Sequence, residues 1–90
     1  MTSDRAADPF IAAEVFGDRV VSEDITFTGP GDTHVDLAIS DALISHAHVE
    51  RLLRVYQAHY TNANGPPAVD VKIKSPNDFV SRSIPRGLGR

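Results

Sequence analysis

The stretch S-H-A-H-V-E at residues 45–50 brings together two histidines and a glutamate, residue types that bind zinc or iron. In a helix, consecutive residues are about 100° apart, so His46 and His48 lie on different faces and cannot bind the same ion. His46 and Glu50 do share a face, but zinc takes three or four ligands. We therefore expect a solvent-exposed His–Glu pair, with Arg54 one turn further along, and no metal site.

A second set of possible cation ligands is Asp32, His34 and Asp36, which alternate along a predicted strand. Residues i and i+2 of a strand point to the same side, about 7 Å apart, and carboxylates together with an imidazole can bind a cation. The same alternation is expected on the solvent face of any half-buried hairpin. The sequence therefore predicts no bound metal and no cofactor.

The motifs of common catalytic sites are absent from the sequence. The loop Gly29-Pro30-Gly31 is too short to bind a phosphate, and no Walker lysine follows it. No serine has the context of a nucleophile elbow. Glu23 and Asp24 are neighbours on a predicted strand, so their side chains point apart and cannot act as a paired acid and base. We expect no catalytic residues.

Length and composition limit the chain to one small domain. It has 90 residues and no cysteine, which excludes disulfides and thiolate metal sites. A core this small is marginal and is often supported by another subunit. No apolar run approaches the roughly 20 residues of a membrane span, and the N-terminus lacks the apolar core of a signal peptide. We expect a cytoplasmic protein with no membrane partner.

Charge is distributed unevenly along the chain. Residues 1–70 contain 4 Lys+Arg and 11 Asp+Glu, a net charge of −7. Residues 71–90 contain 5 Lys+Arg and one acid, a net charge of +4, so the two parts sum to −3. An acidic body with a basic end is typical of a protein that uses this end as an interaction tail.

Two hairpins are predicted before the helix. Residues 10–16 fit either a strand or a short helix. A Gly-Asp pair at 17–18 separates two apolar runs, which favours a tight turn between a strand at 11–16 and the next strand. A Gly/Pro-rich turn at 29–32 then predicts a hairpin of strands 20–28 and 33–39. In strand 20–28, Val21, Ile25 and Phe27 share the predicted inward face, which Glu23 interrupts.

A long amphipathic helix is predicted over 41–61, with Ser40 as its N-cap. Residues 68–74 alternate between apolar and charged side chains, which predicts a last strand whose lysines suit an exposed sheet edge. The order β-β-β-α-β predicts an α+β fold, in which a small antiparallel sheet packs one face against the helix.

The apolar stripe of the helix spans about half of its circumference, more than one short sheet is expected to cover. His48, Tyr56, His59 and Tyr60 lie on this stripe. We expect them to bind a partner chain.

The two ends of the chain are predicted to extend from a domain formed by residues 10–74. Residues 1–9 are small and polar and predict a flexible arm. Residues 75–90 have no periodicity and contain two prolines and two glycines, which predicts an extended basic tail. Its apolar and cationic residues fit an arm that docks on another chain, with folding back onto its own acidic domain, or disorder, as the alternative. They are Phe79, Arg82, Ile84, Arg86, Leu88 and Arg90.

These features favour a non-catalytic interaction or assembly subunit, as a structural component of a homo-oligomer, such as a virion or scaffold piece, or of a larger complex. One alternative is a small regulatory or nucleic-acid-associated protein that binds through its basic tail. The acidic body argues against nucleic acid as the partner. Another alternative is a small enzyme with a site at an oligomer interface, where His34, His48 or Tyr56 would be the groups to suspect.

Overall fold

The computed structural model of the chain describes residues 10–28 and 32–87. A single helical turn, α1, at Ala13–Phe16 is followed by a 3-10 turn at Gly17–Arg19. The other elements, in chain order, are β1 (Val20–Phe27), β2 (Thr33–Ile39), α2 (His46–His59), β3 (Val69–Ser75) and β4 (Asp78–Ile84).

The four strands form one mixed sheet in the order β1-β2-β3-β4. β1 pairs with β2 and β3 with β4 in antiparallel fashion, whereas β2 and β3 are parallel. The α+β class is confirmed. The predicted antiparallel sheet and the order β-β-β-α-β are wrong, because α2 carries the chain back to the same end of the sheet, which makes the next strand parallel.

The predicted first strand at 11–16 is wrong. This segment contains α1, which ends at Gly17, where φ is +61°. The Gly-Asp pair at 17–18 lies in the 3-10 turn and not in a hairpin. The amides of Ile11 and Ala12, which precede α1, donate to the carboxylate of Glu23 at 3.1 and 3.0 Å. These two amides are therefore not hydrogen-bonded to a neighbouring strand.

The predicted hairpin of 20–28 with 33–39 is confirmed as β1 and β2, with Ile25 opposite Val35. The register shifts between Val20 and Ser22, so β1 contains a bulge near its start. The expected inward face of β2 is also confirmed, since Val35 and its neighbours on that face are buried.

The helix is shorter than predicted and starts at His46, after Ser45. Ser40 is not its N-cap. The amide of Ser40 donates to the carbonyl of Arg19 at 2.9 Å, and Asp41 pairs with the Arg19 guanidinium at 3.3 Å. These contacts tie the first residues of the predicted helix to the turn before β1.

The predicted last strand is an interior strand, because residues 78–84 of the expected tail form β4 beside it. The prediction of an exposed edge at β3 and of an extended tail over these residues is therefore wrong. Pro76 lies in the turn before β4, and Pro85 follows it, so neither proline interrupts its ladder. The charges Asp78 and Arg82 occupy core-side positions, which hides the alternation of β4 in the sequence.

Both helical segments lie on one face of the sheet and share its core. The buried apolar cluster consists of Ala12, Phe16, Val20, Val35, Leu37, Ile39, Ile44, Val49, Leu52, Leu53, Tyr56, Val69, Val71 and Ile73. The other face, which we call the open face, has mostly polar side chains. In strand order they are Ser22, Asp24, Thr26, His34, Asp36, Ala38, Asp70, Lys72, Lys74, Phe79, Ser81 and Ser83.

Glu23 is the charged residue on the core side of β1, and it links three elements. Its carboxylate accepts hydrogen bonds from the two amides before α1 and from the hydroxyl of Tyr56 on α2. The Tyr56 side chain is fully buried. Burial of the phenol raises the pKa of Tyr56, and the hydrogen bond and negative charge of Glu23 raise it further. Burial and Glu23 also raise the pKa of Tyr60.

We predict that Glu23→Gln lowers the free energy of unfolding by about 1.5–3 kcal/mol, because it weakens charge-assisted hydrogen bonds to a partly buried acceptor. Tyr56→Phe should cost about 1–2 kcal/mol through loss of one of these bonds. Asp24→Asn is the matched control, since Asp24 is the next residue but lies exposed on the open face, and we expect a change of about 0.5 kcal/mol or less. Urea denaturation measures all three. Equal effects of Glu23→Gln and Asp24→Asn would contradict the role of Glu23.

We also predict that stability falls as the pH rises above about 10, the ordinary tyrosine pKa. Above that value the unfolded chain releases the Tyr56 proton while the folded chain keeps it, so ionisation favours the unfolded state. The slope from one such group approaches about 1.4 kcal/mol per pH unit. Urea midpoints between pH 8 and 11 should fall less steeply for Tyr56→Phe, with a remainder from Tyr60. An identical pH dependence in the variant would count against this assignment.

Candidate interaction surface

Three of the residues predicted to bind a partner pack against other parts of the same chain. Tyr56 is 0% exposed and bonds to Glu23. The ring of His48 packs edge-on against Phe16 of α1, with ring centroids 5.5 Å apart. Ile84 is partly buried against the core cluster. α1, which the sequence did not predict, covers the part of the helical stripe that contains His48.

Two arginines of the expected tail form contacts within the chain. Arg82 projects from the core side of β4 to α2, where its guanidinium lies 3.0 Å from His46 Nδ1 and 3.7 Å from the Glu50 carboxylate. The expected His46–Glu50 pair is thus bridged by Arg82 of β4 and not extended along the helix by Arg54. Arg86 pairs with Asp32 at 2.9 Å. Leu88 and Arg90 lie outside the described residues.

The open face brings together a different set of charged and aromatic side chains. Phe79 is 60% exposed there, beside Lys74 in the register of β3 and β4. It lies on the opposite side of the sheet from the helices, so it cannot share a surface with His59 and Tyr60.

His34 lies on the open face between two carboxylates. Its Nδ1 atom is 3.0 Å from Asp70, and its Nε2 atom is 3.5 Å from Asp36. Asp32 is not part of this group, because it pairs with Arg86 beyond the start of β2. Across residues 10–28 and 32–87, no group of three or more His, Asp or Glu side chains is arranged to hold a metal ion.

The helical side of the molecule has an exposed aromatic group at the end of α2, which we call the aromatic corner: Phe27, His59 and Tyr60. Phe27, the last residue of β1, is 55% exposed. Its ring packs edge-on against Tyr60, with centroids 5.2 Å apart, and Tyr60 in turn packs against His59 at 4.8 Å. Two of the predicted partner-binding residues therefore lie together, beside an aromatic residue that the sequence analysis had assigned to the inward face of a strand.

A groove runs between α1 and α2 next to this corner, and we call it the helical groove. It is lined by Glu14, Arg51, Arg54, Val55, Ala58 and His59. Glu14 belongs to α1, and the other residues belong to α2. On a helical wheel, Arg51 and Arg54 fall on the solvent side of the helix, and only the position of α1 makes this side into a groove.

Comparisons with known proteins provide no relative for this chain: no family model, no curated protein and no solved structure matches it. Within the described ranges, no helix is long and apolar enough to span a membrane.

Proposed function

We propose that this chain is a non-catalytic interaction or assembly subunit that works within a homo-oligomer or a larger protein complex and docks through its helical side. The observation that carries the proposal is the aromatic corner, where Phe27 exposes 55% of its surface on the core side of the sheet. Aromatic residues are enriched at protein interfaces because they bury a large area with little loss of conformational entropy.

The aromatic corner lies where the cover of the sheet by the helices ends. Along the core side of β1, Glu23 accepts the amides before α1 and the Tyr56 hydroxyl, Ile25 is partly buried, and the largely exposed ring of Phe27 packs against Tyr60 just after α2. An apolar side chain of another protein placed against Phe27 and Tyr60 would continue the core outward. The chemistry of the corner thus fits a protein partner with an apolar side chain at this point.

Specific contacts count against the two other functions considered from the sequence. Arg82 and Arg86 form ion pairs with Glu50 and Asp32, so their charge is partly neutralised and less suited to phosphate groups. For an enzyme, both ring nitrogens of His34 already face carboxylates. Tyr56 is buried away from any substrate.

Removal of residues 75–90 is not a clean test of docking by the tail, because it deletes β4 and uncovers one side of β3. A photo-crosslinking residue in place of Phe27 leaves the sheet intact. In cells that produce the chain, we expect it to give one discrete crosslinked product with a protein partner. The same substitution at Phe79 is the matched control, since Phe79 is equally exposed but lies on the open face.

Crosslinking from position 27 and not from position 79 would support the proposed surface, whether the product is a second copy or another protein. Products from position 79 alone, or from neither position, would contradict it. Mass analysis of the product distinguishes a second copy from another protein.

A further inference from the structure

The helical groove carries opposite charges on its two walls. Glu14 lies on the α1 wall, and Arg51 and Arg54, at i and i+3, lie side by side on the α2 wall. All three side chains are exposed. None of them forms an ion pair with another side chain of the described residues.

The lack of partners for these two arginines stands out against the rest of the described chain. Arg19 pairs with Asp41, Arg82 with Glu50 and Arg86 with Asp32. The only guanidinium groups left without a carboxylate in the described ranges are thus both in the groove. Guanidinium groups form strong paired hydrogen bonds with carboxylates, and arginine is enriched at interfaces for this reason.

We infer that the helical groove is a symmetric interface that binds a second copy of this chain, an inference that rests on the proposed function. A two-fold axis that runs along the groove places the α2 wall of one copy opposite the α1 wall of the other. Each copy's Glu14 then meets the Arg51 and Arg54 of its neighbour, and the same contact occurs twice, as in any isologous interface.

The apolar lining of the groove and the aromatic corner supply the apolar part of such an interface. Val55 and Ala58 line the groove on α2 beside the arginines, and His59 joins the groove to Phe27 and Tyr60. An apolar centre with charged residues at its rim is the usual arrangement in protein interfaces. The chain's net charge of −3 opposes association only weakly, because salt at physiological ionic strength screens charges beyond about 8 Å.

A second copy fits the groove better than an acidic partner does. Carboxylates of an acidic segment would pair with Arg51 and Arg54 but would also lie close to Glu14, and like charges at an interface are unfavourable. A second copy gives both signs of charge a partner. The mixed charge of the walls is therefore what selects this occupant.

Charge exchange tests the inference on the full chain. Sedimentation equilibrium should show a dimer for the unchanged protein. Both Glu14→Arg and the pair Arg51→Glu with Arg54→Glu should weaken dimerisation about tenfold or more, because each places like charges opposite one another. The three substitutions combined should restore dimerisation to about that of the unchanged chain. Lys72→Glu is the control, because Lys72 is exposed on the open face and should leave dimerisation unchanged.

Circular dichroism confirms that each variant is folded before its mass is measured. A folded triple variant that fails to recover dimerisation would overturn the inference. So would an unchanged protein that stays monomeric up to about millimolar concentration, because a dimer that forms only above this concentration is weak. A monomeric chain that crosslinks to a different protein from position 27 would leave the proposed function standing and refute the second copy. Stronger crosslinking to that protein after Glu14→Arg would identify an acidic partner instead.

Discussion

The carboxylate of Glu23 is the contact on which the helical side of this molecule depends. It occupies a core-side position of an edge strand, where a charged group is tolerated only if hydrogen-bond donors surround it. The amides of Ile11 and Ala12 and the hydroxyl of Tyr56 provide these donors from two different segments. One side chain thereby fixes α1 beside α2. Because α1 carries Glu14, the same contact also builds one wall of the helical groove.

The sequence predicts the fold best where strands alternate without interruption. β2 and β3 follow this pattern, and their positions and buried faces agree with the structure within a residue. At the ends of the sheet, Glu23 interrupts the apolar face of β1, whose position is still predicted, and Arg82 puts a charge on the core side of β4, which is missed. Their partners, Tyr56 and His46, are 33 and 36 residues away along the chain. Local periodicity contains no information on such distant contacts.

The proposed interaction surface is harder to predict than the fold, because it depends on which part of the helix is covered. The apolar stripe groups His59 with Tyr60, whose rings pack together, but it also includes Tyr56, which is interior. Arg51 and Arg54 look like ordinary solvated residues on a helical wheel. They line a groove only because residues 13–16 form a helical turn beside them, and Glu23 accepts the two amides just before that turn.

The two core-side charges also restrict how this chain can associate. An edge strand can add a strand from another molecule, and inward-facing charges and bulges are common protection against this. β1 has both Glu23 and a bulge near Val21, and β4 has Arg82 held by α2. Extension of the sheet from either edge would have to accommodate these groups. On the open face, Asp24 lies opposite Asp36 in register, which does not favour dry packing against another sheet. These features disfavour association at the sheet edges and on the open face, so the proposed function relies on the helical side, where the aromatic corner and the groove adjoin.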